Sequence, residues 1–206
     1  MKSATKTALA LLMTLSATEA CAATTVSSDN GWYDNAGLHT PSNTNTYTGE
    51  LGNRLLNSFY AFDLTGMATA SAITITFFAN GIFEIDTGSE TVGLYDYTGS
   101  MNSLLNGTGG TAAFTDLGSG KLLGQHTITG ASSSSIPLFT VSLSSDFVAQ
   151  YNAALATADK RIALGAKLQS VTLGGAGDAM WTFSGLRPAA QLNITEGVPA
   201  VPEPAT

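Results

Sequence analysis

The chain has 206 residues, only 11% of them charged, with Lys+Arg 8 against Asp+Glu 15 and a net charge of −7. An acidic balance without a basic run argues against nucleic acid and against anionic membrane surfaces, both of which attract clustered Lys and Arg. The 22 glycines and the abundant Ser and Thr, set among short apolar runs, fit an exported all-β domain better than a cytoplasmic α/β enzyme with its higher charge and long amphipathic helices.

At the N-terminus, Lys2 and Lys6 form a basic start and Ala8 to Leu15 an apolar core. That core is too short to span a bilayer, which takes about 20 residues. Ala20-Cys21-Ala22 then offers the small-residue pattern of a signal peptidase site, so residues 1–22 read as a signal peptide cut after Ala22. A lipidated Cys21 fits less well, because Thr18-Glu19-Ala20 lacks the aliphatic residue expected before it. Cleavage removes the only cysteine and with it any disulfide or thiolate site. Without Lys2, Lys6 and Glu19 the charge balance becomes 6 against 14, a net of −8. The remaining stretch, 23–195, is long enough for one domain with its own core.

In Phe59-Tyr60-Ala61-Phe62-Asp63-Leu64, period two places Tyr60, Phe62 and Leu64 on one buried strand face. Residues 72–79 alternate in the same way and end at Asn80-Gly81, a turn signal, so a hairpin with 82–86 is expected. Further strands are predicted at 90–97, 122–129, 138–143, 161–168, 180–184 and 189–194, separated by Gly, Ser and Asn clusters. The segments Asn43 to Tyr47 and Asn102 to Gly110 read as loops. One short helix near 146–157 is predicted from Phe147, Tyr151, Ala154 and Leu155 at helical spacing, with Ser144 or Ser145 as its N-cap. No 20–50-residue repeat is visible. The fold expectation is all-β: an antiparallel β-sandwich, jelly-roll-like, with that one helix covering an end or edge.

Few residues suggest chemistry. His39 and His126 stand in no zinc-like spacing and read as surface or turn residues. No Gly-x-Ser-x-Gly elbow or compact triad signature is present, so no catalytic residue is assigned. Glu84 and Asp86 lie two apart on a predicted strand, hence on one face, and Glu90 follows the Thr87-Gly88-Ser89 turn. Such acids could hold a structural calcium ion, serve as the acid and base of a polysaccharide-active enzyme, or form a solvated acidic face, which is the plainest reading. No other cofactor is implied. Trp32 and Tyr33, after Asn30-Gly31 in a polar stretch, are candidate sugar-stacking aromatics. Trp181 would face the same side as Phe183 and reads as core.

The last residues, Val201-Pro202-Glu203-Pro204-Ala205-Thr206, resemble the opening of the C-terminal sorting signal of PEP-CTERM exoproteins. In that family the box is followed by an apolar membrane-spanning segment and an Arg cluster, and an exosortase processes the signal. The resemblance therefore implies residues 196–206 as a linker with the start of a truncated signal. It also implies an exosortase and export machinery as partners, and membrane contact only through the missing segment. A looser resemblance covers residues 31 to 120. Asn53-Arg54, the Phe59 to Leu64 strand, Ser71-Ala72-Ile73-Thr74-Ile75 and Glu90-Thr91-Val92-Gly93-Leu94-Tyr95-Asp96 are similar in order to the extracellular domains such proteins carry, which implies a sandwich of the carbohydrate-binding-module type. The expectation is a non-catalytic protein of the bacterial cell surface or extracellular matrix, in contact with exopolysaccharide. A carbohydrate-binding module using Trp32 and Tyr33 is the alternative, and a polysaccharide-active enzyme a third reading.

Overall fold

The aromatic run 59–64 is buried on both faces, and that double burial organises the molecule. A computed structural model describes residues 22–78, 81–85, 88–129, 139–175, 177–182 and 188–197, the side chains of 81–84, 181 and 182 excepted. The elements in chain order are β1 (Ala22–Asp34), β2 (Thr46–Leu51), β3 (Arg54–Asp63), β4 (Ala70–Phe77), β5 (Gly81–Glu84) and β6 (Ser89–Asp96). There follow α1 (Met101–Leu105), α2 (Gly110–Leu117), β7 (Leu122–Thr129), β8 (Phe139–Ser142), α3 (Ser145–Leu155), β9 (Arg161–Leu168), β10 (Ala179–Thr182) and β11 (Ala190–Glu196).

All strand pairings among these elements are antiparallel. β1 is long enough to serve two sheets. Its first half, Ala22 to Val26, pairs with β11, and β11–β4–β8 completes the first sheet. After a register shift between Ser27 and Asp29, its second half pairs with β3, whose other edge carries β9–β6–β7 and, at its start, β2–β10–β5, which together complete the second. Such an irregularity bends a strand and increases its twist, which lets one chain segment turn the corner between layers. Facing sides of the two sheets enclose the main core, with Tyr60, Phe62 and Leu64 from β3, Ile73, Ile75 and Phe77 from β4, Val92 and Leu94 from β6, and Leu192 and Ile194 from β11. The fold is thus the antiparallel sandwich expected from the alternation. Where β7 and β8 approach, the Ser144 amide donates to the Leu123 carbonyl at 2.7 Å, so the layers nearly close.

The structure departs from the expectation in three respects. Residues 72–79 and 82–86 do not form a hairpin: β4 pairs with β11 and β8, whereas β5 pairs with β10, which in turn pairs with β2. A turn signal between two strands does not choose their partners. Residues 22–34 and 46–51 are strands even though their polar, Gly-containing sequences lack a clear period. The segment expected as a loop at 102–110 instead carries α1 and the start of α2. Leu104, Ala113 and Leu117 of these helices cover Tyr33, Phe59, Ala61 and Ala163 on the outer face of the second sheet, forming a second core.

α3 matches the predicted helix. Phe147 and Tyr151 are its buried face, and the Tyr151 hydroxyl donates to the Ala68 carbonyl at 3.1 Å. Asn152 accepts from the Ala70 amide at 2.8 Å and donates to the Ala70 carbonyl at 2.9 Å, which satisfies the start of β4 as a neighbouring strand would. Ser144 occupies the N-cap but makes no side-chain cap hydrogen bond. Ala22, the last residue of the expected signal peptide, pairs with Thr195 at the end of the β1–β11 ladder.

Candidate functional site

Alternation along β1 separates the two expected sugar-stacking aromatics. Trp32 lies opposite Ser58 and is half-buried, while Tyr33 lies opposite Asn57 under α1 and is fully buried. The Tyr33 hydroxyl donates to the carbonyls of Ser103 (3.0 Å) and Leu104 (2.8 Å) and accepts from the Gly109 amide at 3.4 Å. Tyr33 therefore pins the helical cap to the sheet and presents no ring to a ligand; this corrects the sequence expectation, and burial pushes its phenol pKa up. His39, expected at the surface, is packed behind the same pair. Its Nδ1 is 2.9 Å from the Trp32 carbonyl and its ring centroid 4.8 Å from that of Tyr33. Burial lowers the His39 pKa, opposed by the Trp32 carbonyl and by the nearby Asp29 carboxylate. His126 stacks on Phe139 at 4.4 Å, also half-buried.

Of the acidic trio, only Glu90 has a described side chain. Glu84 ends β5, beside β10, whereas Glu90 lies in β6 between β7 and β9. Asp86 and the Glu84 side chain lie outside the described residues. Glu90 is 3% exposed, and its Oε1 accepts backbone amides from Thr91 (2.7 Å), Gln169 (3.1 Å) and Ser170 (3.2 Å) while Oε2 accepts the Ser170 hydroxyl. Its lone pairs are spent on the chain, so the reading of Glu90 as a metal ligand or catalytic acid is corrected to a staple for the turn after β9. Other buried acids act similarly. Asp34 accepts the Ala36 and Leu38 amides and the Arg54 guanidinium at 2.7 Å. Glu50 accepts the Gly174 and Gly175 amides at 2.6 and 3.1 Å. Among the described residues no three His, Cys, Asp or Glu side chains gather as a metal site would require. The box Val201 to Thr206 lies outside the described residues, as does the Trp181 side chain.

A different surface stands out once the register is known. On the first sheet the outward residues line up across four strands as Thr24–Asn193–Thr74–Ser142 and Val26–Gln191–Thr76–Thr140, with Ala22–Thr195–Ala72 beside them. None of these side chains is ionisable, although the chain carries a net −7. Hydrogen bonds knit the grid together. Asn193 Nδ2 donates to Thr74 Oγ1 (3.2 Å) and Thr76 Oγ1 (2.9 Å), Gln191 Nε2 donates to Asn193 Oδ1 (2.7 Å), and the Thr76 and Thr140 hydroxyls pair at 2.9 Å. The face is consequently neutral and held in place, with β-branched Thr suited to the pleat. Alternation in Thr74-Ile75-Thr76 and Gln191-Leu192-Asn193-Ile194-Thr195 marks each outer row in the sequence; the alignment of the rows does not follow from it.

A cleft of about 230 Å³ opens where β2 and β9 separate along the same edge of β3. β2 pairs up to Leu56 and β9 begins at Ser58, which leaves Asn57 at the fork. α2 roofs it with Phe114, Thr115 and Gly118, and Lys167 stands at its side. Sequence reasoning missed this site, since its residues come from four separate elements.

No protein-family model matches the chain, and no curated protein matches it either. Among solved structures it is similar to the K1 cleaved adhesin domain of Lys-gingipain from Porphyromonas gingivalis W83, at 13% identity and a TM-score of 0.34, over 86% of this chain and 91% of that one. No helix among the described residues is long and apolar enough to cross a membrane.

Proposed function

We propose that this chain is a non-catalytic, exported protein of the bacterial surface or extracellular matrix, sorted through a PEP-CTERM/exosortase system, that lays the outer face of its first sheet against hydrated exopolysaccharide. The observation that carries the contact is the neutral grid of hydroxyl and amide groups centred on Thr74 and Asn193. Polysaccharide offers the same chemistry in return, many hydroxyls of both donor and acceptor character, and water can bridge two such surfaces at little cost. A face without charge binds no counter-ion that contact would have to displace. The engagement of Glu90, Glu50 and Asp34 by backbone amides supports a non-catalytic reading, because a general acid or base needs a carboxyl group free to reach its substrate.

Co-sedimentation with insoluble exopolysaccharide tests the contact. Thr74→Glu and Asn193→Glu place charge in the grid and should reduce the bound fraction several-fold with the unfolding midpoint held, whereas unchanged retention overturns it. Sorting is tested separately, by surface fractionation of the native gene product in a bacterium that carries an exosortase. A Glu203→Ala, Pro204→Ala variant should fail to reach the surface; equal display of both proteins removes the sorting reading.

A module centred on Trp32 remains as a second reading, favoured by the partial exposure of its indole. Glycan-induced fluorescence change that is lost in Trp32→Ala, with Thr74→Glu silent, would favour it over the grid.

A further inference from the structure

The fork cleft holds two unused polar groups facing one small space. Asn57 is 5% exposed, and its Nδ2 donates to the Phe114 carbonyl at 2.9 Å. That bond fixes the amide orientation, since the carbonyl needs the NH₂ end. Asn57 Oδ1 is left without a hydrogen bond among the described residues, yet it is not sealed from solvent, as a buried and unpaired atom would be. Lys167, half-buried and on β9, has no ion-pair or hydrogen-bond partner among the described residues, although the chain is acidic. Both side chains rest on Gly118. A Cβ there would overlap Asn57 Nδ2 and lie 3.0 Å from Lys167 Cδ. Gly118 has φ −115°, which any residue adopts, so the space is what the missing side chain provides. Leu55, Phe114 and Val171 give the rest of the lining an apolar character.

We infer that this cleft binds a single hexuronate unit of an acidic glycan, with the carboxylate on Lys167, a ring hydroxyl donating to Asn57 Oδ1, and an apolar ring face against Phe114. Each group answers one feature of that ligand. A Lys side chain at the cleft without a counter-ion among the described residues favours an anion, an accessible amide oxygen without a donor from the chain favours a hydroxyl, and an aromatic side chain favours the flat C–H face of a sugar ring. Size limits the ligand. A cleft of about 230 Å³ is smaller than the ~300–1,000 Å³ of drug-sized sites, which suits one ring. The inference rests on the polysaccharide reading above and adds a specificity that the neutral grid lacks.

Isothermal titration of the purified domain with methyl β-D-glucuronide, methyl β-D-glucoside and cyclohexanecarboxylate tests it. The glucuronide should bind with a dissociation constant of about 1 mM or tighter, and the two comparators about tenfold more weakly or worse. Added salt should weaken the glucuronide selectively. Lys167→Met should abolish the preference for glucuronide over glucoside, Lys167→Arg should keep most of it, and Gly118→Ala should weaken all three ligands. Unfolding midpoints report whether each variant is folded. Equal binding of the glucoside removes the role of Lys167, equal binding of cyclohexanecarboxylate removes the sugar, and no glucuronide binding by the folded wild-type protein overturns the proposal outright. Thr74→Glu separates the two readings, since it should lose co-sedimentation with polysaccharide and leave glucuronide binding unchanged.

Discussion

The carbonyl of Leu117 lies directly against the α-carbon of Gly165: a Cβ at 165 would overlap that oxygen and sit 2.5 Å from the Leu117 Cα. This contact sets the height of α2 above the second sheet. It also positions the roof of the fork cleft, since Phe114, Thr115 and Gly118 belong to the same helix and its end. The obstacle at Gly165 is backbone, which cannot rotate aside. Gly165→Ala should therefore lift α2 and destabilise the domain by about 1–3 kcal/mol, the usual cost of overpacking. Urea denaturation measures the loss, and an unchanged midpoint would mean that α2 does not rest on β9.

Glu90 accepts three backbone amides and a hydroxyl, and that inventory predicts what its loss does. Glu90→Gln replaces one acceptor oxygen by a donor and leaves part of the set unmatched, at a cost of about 1–3 kcal/mol. Calcium should not raise the unfolding midpoint of either protein, and chelator should not lower it. A calcium-dependent midpoint that disappears in Glu90→Gln would restore the metal reading.

His39 links acid pH to stability. Its pKa is lowered below the ordinary 6.5 because burial disfavours the imidazolium, with the Trp32 carbonyl and Asp29 opposing. Below 6.5 the unfolded chain binds the proton more readily than the folded one, so this contribution is complete above the unfolded value and is lost as pH falls toward the folded one. Asp29, whose pKa is raised from 3.8 chiefly by desolvation, runs the other way: its contribution is present at low pH and lost as pH rises through its folded value. Urea midpoints should fall between about pH 7.5 and pH 5.5 in the wild type and fall less in His39→Gln. Equal slopes would show that the His39 environment does not oppose protonation.

Ser144 breaks the usual capping rule. It stands at the N-cap of α3 in extended conformation, but its Oγ is buried without a partner among the described residues. A capping Ser changed to Ala normally costs about 0.5–2 kcal/mol. Here Ser144→Ala removes an unsatisfied hydroxyl and should be neutral or stabilising. A loss of 1 kcal/mol or more on thermal unfolding would mean that the hydroxyl caps the helix in solution.

The alternation of Tyr60-Ala61-Phe62-Asp63-Leu64 and Ile73-Thr74-Ile75-Thr76-Phe77 determined by itself that these segments are strands and which of their residues share the core face, and the many short strands divided by turn residues pointed to packed antiparallel sheets. Helical spacing from Phe147 to Leu155 likewise determined α3. Period two states which residues share a face, but it names neither the neighbouring strand nor what covers the opposite face. Only the tertiary structure decided that β5 joins β10, that α1 and α2 bury Tyr33, that Glu90 meets the amides of Gln169 and Ser170, and that Asn57 and Lys167 share a cleft. Those are relationships between residues far apart in the chain. They arise when whole elements pack, and no local pattern records them.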